Sequence, residues 1–92
     1  MEELGIVYVL KLDAPLGNSR HRAQFYVGWA VNLDRRLKHH RNGTGAAFTA
    51  AAAERGIGMQ VVWSAPGTRA LEREIKRWKN TRAWLKARGV RV

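Results

Sequence analysis

Three short β-like segments are all the strand material this chain offers, so it can build one small sheet that only its own helices can cover. Gly5 to Leu12 is rich in Ile, Val and Tyr and nearly continuous in apolar character, the pattern of a strand. Asp13-Ala14-Pro15-Leu16-Gly17-Asn18-Ser19-Arg20 reads as turn chemistry, because Pro and Gly break regular elements. Ala23 to Trp29 is a second strand, so a hairpin with a long loop joins the two. Met59 to Trp63 is a third, short strand, followed by a turn at Ser64-Ala65-Pro66-Gly67.

Helical signals fill the rest. Asn32 is a good N-cap for a helix running to about Arg41, with Asp34 in its first turn and Leu33 and Leu37 on its buried face. Asn42-Gly43-Thr44-Gly45 ends it, and an Ala-rich helix follows from Ala46 to Arg55, closed by Gly56. Thr68 caps a helix whose Leu71, Ile75 and Trp78 recur at i, i+4 and i+7, which makes Trp78 a core residue. A last helix from about Thr81 to Arg88 stops at Gly89. The order β-β-α-α-β-α-α, without repeats or linkers, reads as a single α/β (α+β) domain over residues 1–92.

Charge is the first functional clue. Seventeen Lys and Arg against seven Asp and Glu give a net charge of +10. Residues 69–92 hold nine of those cations against Glu72 and Glu74. A polyanion is the natural partner, since each neutralised phosphate releases condensed counterions; a merely basic, soluble surface has the same composition. The absence of cysteine excludes disulfides and thiolate zinc sites. No apolar run approaches the roughly 20 residues of a spanning helix, and Met1-Glu2-Glu3 is acidic where a secretory signal is basic. A soluble protein of the cytoplasm, or of the nucleus in a eukaryote, without a membrane partner is expected.

The strands carry Gly5-Ile6-Val7-Tyr8 and Tyr26-Val27-Gly28. An Arg, Arg36, follows the second Tyr by ten residues, and His40 comes one helical turn later. Gly43-Thr44-Gly45-Ala46 comes next, then Ala70-Leu71-Glu72 followed by Ile75-Lys76. In this series the chain resembles the GIY-YIG nuclease superfamily, nearest its small stand-alone branch, over about residues 5–80. The resemblance implies a three-stranded antiparallel sheet flanked by helices. It also implies hydrolysis of nucleic-acid phosphodiesters, in DNA of a particular structure or in RNA, with one Mg²⁺ or Mn²⁺. Two departures stand out. The first motif has one residue more than usual, so the alignment rests on Tyr8, and Trp29 occupies a position where many members carry Lys. Arg20, His21 and Arg22 match no role in the family.

The resemblance also implies roles. Tyr26 is expected as the base that activates water, with Tyr8 hydrogen-bonding nearby. A phenol with pKa near 10 is a poor base at neutral pH, so cations must help it. Arg36 would clamp phosphate through its fork of donors, although Arg35 and Arg36 would look the same on a solvated helix face. His40 shares that face; it could orient water or phosphate, accept a proton, or simply lie half-buried beside Leu37. Glu72 is the expected metal ligand. Glu74 borders the opposite edge of the apolar stripe, and only the family placement separates the two; an ion pair with Lys76 at i+4 is the plain alternative. Arg35, Arg41, Lys76, Lys79, Asn80 and Arg82 are expected contacts to nucleic acid, Asn80 being equally suited to cap the last helix. Trp84 is carried as an alternative base-stacking residue. A non-catalytic binding module, or a subunit that cuts only beside a larger protein partner, fits the same residues.

Overall fold

A computed structural model describes residues 3–16 and 23–92 of the chain. The elements run β1 (Gly5–Leu16), β2 (Ala23–Ala30), α1 (Leu33–Arg41), α2 (Ala47–Glu54), β3 (Met59–Gly67), α3 (Arg69–Arg77) and α4 (Thr81–Ala87). The strands form one antiparallel sheet in the order β2-β1-β3, so the first strand is central. Tyr8 lies opposite Gly28 on β2 and Ser64 on β3, and Leu10 lies opposite Tyr26. This is the expected α+β architecture, a three-stranded antiparallel sheet with helices around it.

The unbroken apolar run of β1 has a direct cause. Side chains alternate between sheet faces, and here both faces are covered. Val7 and Val9 point into a core with Val27, Ile75, Trp84 and Leu85, the face that α3 and α4 cover. Tyr8, Leu10 and Leu12 point the other way, into a core with Ala30, Ala52 and Met59, with Leu33, Leu37 and Phe48 from α1 and α2 packed against it. The sheet is therefore the middle layer of three.

Strand takes the place of the second expected turn and of the first four residues of the first. β1 continues through Asp13 and Pro15 to Leu16, which pairs with Ala23 after a register shift. β3 begins only at Met59, opposite Leu12. Past the Asp13 amide bond to the Gly58 carbonyl at 2.9 Å, this stretch of β1 has no β3 partner, and a proline is tolerated there. Likewise β3 runs through Pro66, opposite Ile6, because β3 is an edge strand that can spare an N–H. The rest of the first turn, Gly17-Asn18-Ser19-Arg20, lies outside the described residues, as do His21 and Arg22.

The expected caps are present. The Asn32, Thr68 and Asn80 side chains accept from the amides of Arg35, Ala70 and Ala83 at 3.0, 3.3 and 3.0 Å. One tryptophan departs from its expected place, and the stacking alternative for another is removed. Trp78 is 52% exposed rather than in the core, because α3 closes at Arg77 before its stripe can continue. Lys79, next in line, takes a left-handed φ of 56° in the turn that leads to α4. Trp84 is 1% exposed and meets Trp63 edge to face, with ring centroids 4.8 Å apart, so it is a core residue and has no face for a base. Among the described residues no helix is long and apolar enough to cross a membrane.

Candidate active site

The sheet register and α1 bring four of the expected residues together on the face covered by α1 and α2. Tyr8 and Tyr26 come from neighbouring strands, with ring centroids 6.4 Å apart. His40 projects from the last turn of α1 against both rings, 5.8 Å from Tyr8 and 5.1 Å from Tyr26. Tyr26 also stacks on Phe48 of α2, 6.2 Å away with the planes 13° apart. Tyr8 is fully buried, whereas Tyr26 and Arg36 reach the surface in part.

His40 is wholly buried, not half-exposed beside Leu37, and both of its ring nitrogens are engaged. Nε2 lies 2.7 Å from the Tyr8 hydroxyl and Nδ1 lies 2.7 Å from the Thr49 hydroxyl. The Thr49 hydroxyl donates to the Ala46 carbonyl at 3.0 Å, which spends its only proton. Thr49 must therefore accept from His40 Nδ1–H, and Nε2 is left as the acceptor for the Tyr8 O–H. The chain of donors runs Tyr8 to His40 to Thr49 to Ala46. Burial, then the charges of Arg36 and His39, hold His40 down to about 4, so the imidazole is neutral at physiological pH.

With its proton committed to His40, the Tyr8 oxygen presents lone pairs to Arg36. The Arg36 guanidinium interacts with Tyr8 and, more weakly, Tyr26, and the bond to Tyr8 is the main reason its own pKa rises. Burial outweighs that bond at Tyr8, whose hydroxyl is pushed up to about 12. Tyr8 is thus a fixed donor and acceptor that stays protonated. Its geometry suits positioning Arg36 better than abstracting a proton.

Two motif glycines are spaces that these rings fill. A Cβ at Gly28 would collide with the Tyr8 phenol ring and hydroxyl, which cross the neighbouring strand at that point. A Cβ at Gly45 would sit 2.7 Å from His40 Nδ1, the nitrogen bonded to Thr49. Thr49 was missed in the sequence, where it is one hydroxyl inside an Ala-rich helix. The signal it left was being that helix's sole hydroxyl between Ala47 and Glu54, nine residues from His40.

Glu72 comes from α3, on the other face of the sheet. Its side chain is only 13% exposed and pairs with Lys76 at 3.4 Å, the plain helix ion pair. It is near enough for its charge to raise Tyr8 slightly, the least of the contributions there. Among the described residues no group of three or more His, Asp or Glu is gathered as a metal site. One nearly buried carboxylate still fits a hard divalent ion that takes its remaining oxygens from water and phosphate. Trp29, where the resemblance favours Lys, points away from the tyrosines, as strand alternation requires of a neighbour of Gly28. Its indole donates to the Gly67 carbonyl at 3.0 Å, and the Arg69 guanidinium lies 4.4 Å above its ring, so a cation still flanks this position.

The expected nucleic-acid contacts fall into two groups on opposite sides of the sheet. Arg35 and Arg41 are exposed on α1, with Arg41 donating to the Met59 carbonyl at 3.3 Å. Lys76, Lys79, Asn80 and Arg82 lie on α3, α4 and the turn between them. Asn80 caps α4, and Arg82 lies 5.1 Å over Phe25 while donating to Gln24 at 3.5 Å. Comparison with protein-family models, curated proteins and solved structures finds no match to this chain.

Proposed function

We propose that the protein is a metal-dependent endonuclease of the GIY-YIG type, acting in the cytoplasm on DNA of a particular structure. The observation that carries this reading is the buried Tyr8–His40–Thr49 hydrogen-bonded chain with Arg36 drawn against the Tyr8 and Tyr26 hydroxyls. A purely structural core gains little from sealing a neutral histidine between two hydroxyls beneath a guanidinium.

In this reading Arg36 binds a non-bridging phosphate oxygen, its planar fork held in place by the Tyr8 oxygen it shares. Tyr26, the more accessible of the two tyrosines, acts as a phenolate: its oxygen takes the proton of the attacking water and becomes the phenol, with the neighbouring guanidinium balancing the charge. Tyr8 and His40 are positioning residues: each fixes the next through one hydrogen bond, and neutral His40 adds no competing charge. Glu72 would hold the Mg²⁺ or Mn²⁺, releasing Lys76, and the ion would supply Lewis-acid stabilisation to the phosphoryl oxygens and leaving group. The net charge of +10 supports the choice of a polyanionic substrate.

A second reading, a nucleic-acid-binding module without catalysis, is favoured by one observation, the Glu72 carboxylate already paired with Lys76. One experiment separates the two. Flapped, branched and single-stranded DNAs are incubated with Mg²⁺ or Mn²⁺ and either wild type or Glu72→Ala. Metal-dependent nicking that the variant loses while still binding DNA supports the nuclease. Equal binding with no cleavage by either protein supports the binding module, activity only beside an added protein supports a partner-dependent subunit, and equal cleavage by both removes Glu72 from the site.

A further inference from the structure

The turn between α3 and α4 carries a side chain that the site above does not use. Trp78 is one of three large apolar residues that stand exposed, with Leu4 and Val31, and the only aromatic among them, in the described residues. It sits amid cations: Lys76 and Arg77 precede it, Lys79 follows, and all three are exposed. Glu74, one turn back on α3, is the nearest acid in sequence, and Glu72 beyond it is bonded to Lys76. The Lys79 that follows takes a left-handed conformation, costly for a residue with a Cβ.

Beside this turn lies a groove of about 250 Å³ lined by Ala23, Gln24 and Phe25 of β2 and by Lys79, Asn80 and Arg82. Its walls are mostly polar, its cations are Lys79 and Arg82, and Phe25 lines it with the Arg82 guanidinium 5.1 Å from the ring centroid. Tyr26 is the next residue of the same strand, which lies at the edge of the sheet. A chain crossing that edge would pass from the groove toward the tyrosine pair.

We infer that Trp78, with Lys79 and Arg82, forms a stacking platform for single-stranded nucleic acid. An exposed indole in a cationic setting is what unpaired bases require: a flat apolar surface for the base and charges for the phosphate on either side. Duplex DNA, whose bases are already stacked, has no face to offer it. Charge alone would serve either form, and the indole is what favours the single strand. This inference rests on the nucleic-acid part of the proposed function and not on cleavage.

The test uses no divalent metal. Fluorescence anisotropy compares wild type, Trp78→Ala and Trp78→Phe on a labelled oligothymidylate, on a duplex of equal length and on heparin. Trp78→Ala should weaken oligothymidylate binding roughly 5- to 150-fold, the range of one base–aromatic stack. Trp78→Phe should retain most of the affinity, while duplex and heparin binding change less than about twofold and thermal melting is unmoved. Equal losses on all three polyanions, an unchanged oligothymidylate affinity in Trp78→Ala, or a Trp78→Phe variant as weak as Trp78→Ala would each overturn the inference. Wild type that binds no nucleic acid overturns the partner along with it. Wild type that stacks on the oligonucleotide but cuts nothing when Mg²⁺ is added supports the platform and removes only the nuclease.

Discussion

Acidifying the solution should unfold this protein earlier than its few carboxylates would. His40 titrates near 6.5 in the unfolded chain and is held down to about 4 in the fold. Between those values the unfolded chain binds a proton that the folded chain refuses, so stability rises with pH across the window and falls as pH drops from about 6.5 to 4. The full shift is worth on the order of 3 kcal/mol at about 1.4 kcal/mol per pH unit. For a domain of this size that is a large fraction of a typical 5–15 kcal/mol, and a lowering of Tm by roughly 12–24 °C. Urea denaturation followed by circular dichroism at pH 7, 6, 5 and 4.5 reads the slope. His40→Gln, which can still donate and accept a hydrogen bond, provides the comparison: it should begin less stable and lack the slope between pH 6.5 and 4. Ring-proton NMR should show His40 unprotonated to below pH 5, with the proton on Nδ1. Parallel slopes for the two proteins, or a His40 midpoint between 6 and 7, would refute the neutral, doubly bonded imidazole and the donor chain built on it.

Other substitutions test separate parts of the structure. Gly45→Ala forces a methyl against His40 Nδ1 and should cost about 1–3 kcal/mol of unfolding free energy, measured by denaturant titration, together with most of any cleavage. Trp84→Ala should cost about 3–5 kcal/mol, where Trp78→Ala changes stability by less than about 0.5, so two thermal melts test which tryptophan is core. Lys79→Gly should raise stability by up to about 1 kcal/mol by relieving the left-handed backbone. The same change should flatten the dependence of DNA affinity on salt, by about one unit of log–log slope if Lys79 contacts a phosphate.

Elements defined by local chemistry were legible in the sequence. The three helix caps depend on Asn and Thr hydrogen-bonding amides two or three residues away, and the two-faced apolar run of β1 shows in its composition. What the sequence hid was decided by neighbours distant along the chain. Pro15 and Pro66 read as breakers because their tolerance depends on where β3 begins and on which strand is at the edge. Trp78 satisfied the helical period but lies one residue past the end of α3, a boundary that periodicity locates poorly. In the site, Tyr8, Tyr26, Arg36 and His40 were found through a spacing pattern and do converge. Thr49 was not found, because a hydroxyl in an Ala-rich helix acquires meaning only when α2 folds over α1. The opposite facing of Trp29 followed from strand alternation alone and was available from the start.

The crossing of the Tyr8 ring over Gly28 makes these two positions a single unit of volume. Neither can be altered by itself: a methyl at position 28 evicts the phenol, and a smaller residue at position 8 opens a void against the strand and strands a buried His40 without its donor. Variation at this site is therefore a matter of trade between two strands. In a library randomised at both positions and sorted only for folding, the survivors should lie along a line of constant summed side-chain volume. Glycine at 28 would lead to a large ring at 8, and alanine or serine at 28 to something smaller that can still give a proton to the histidine beneath it.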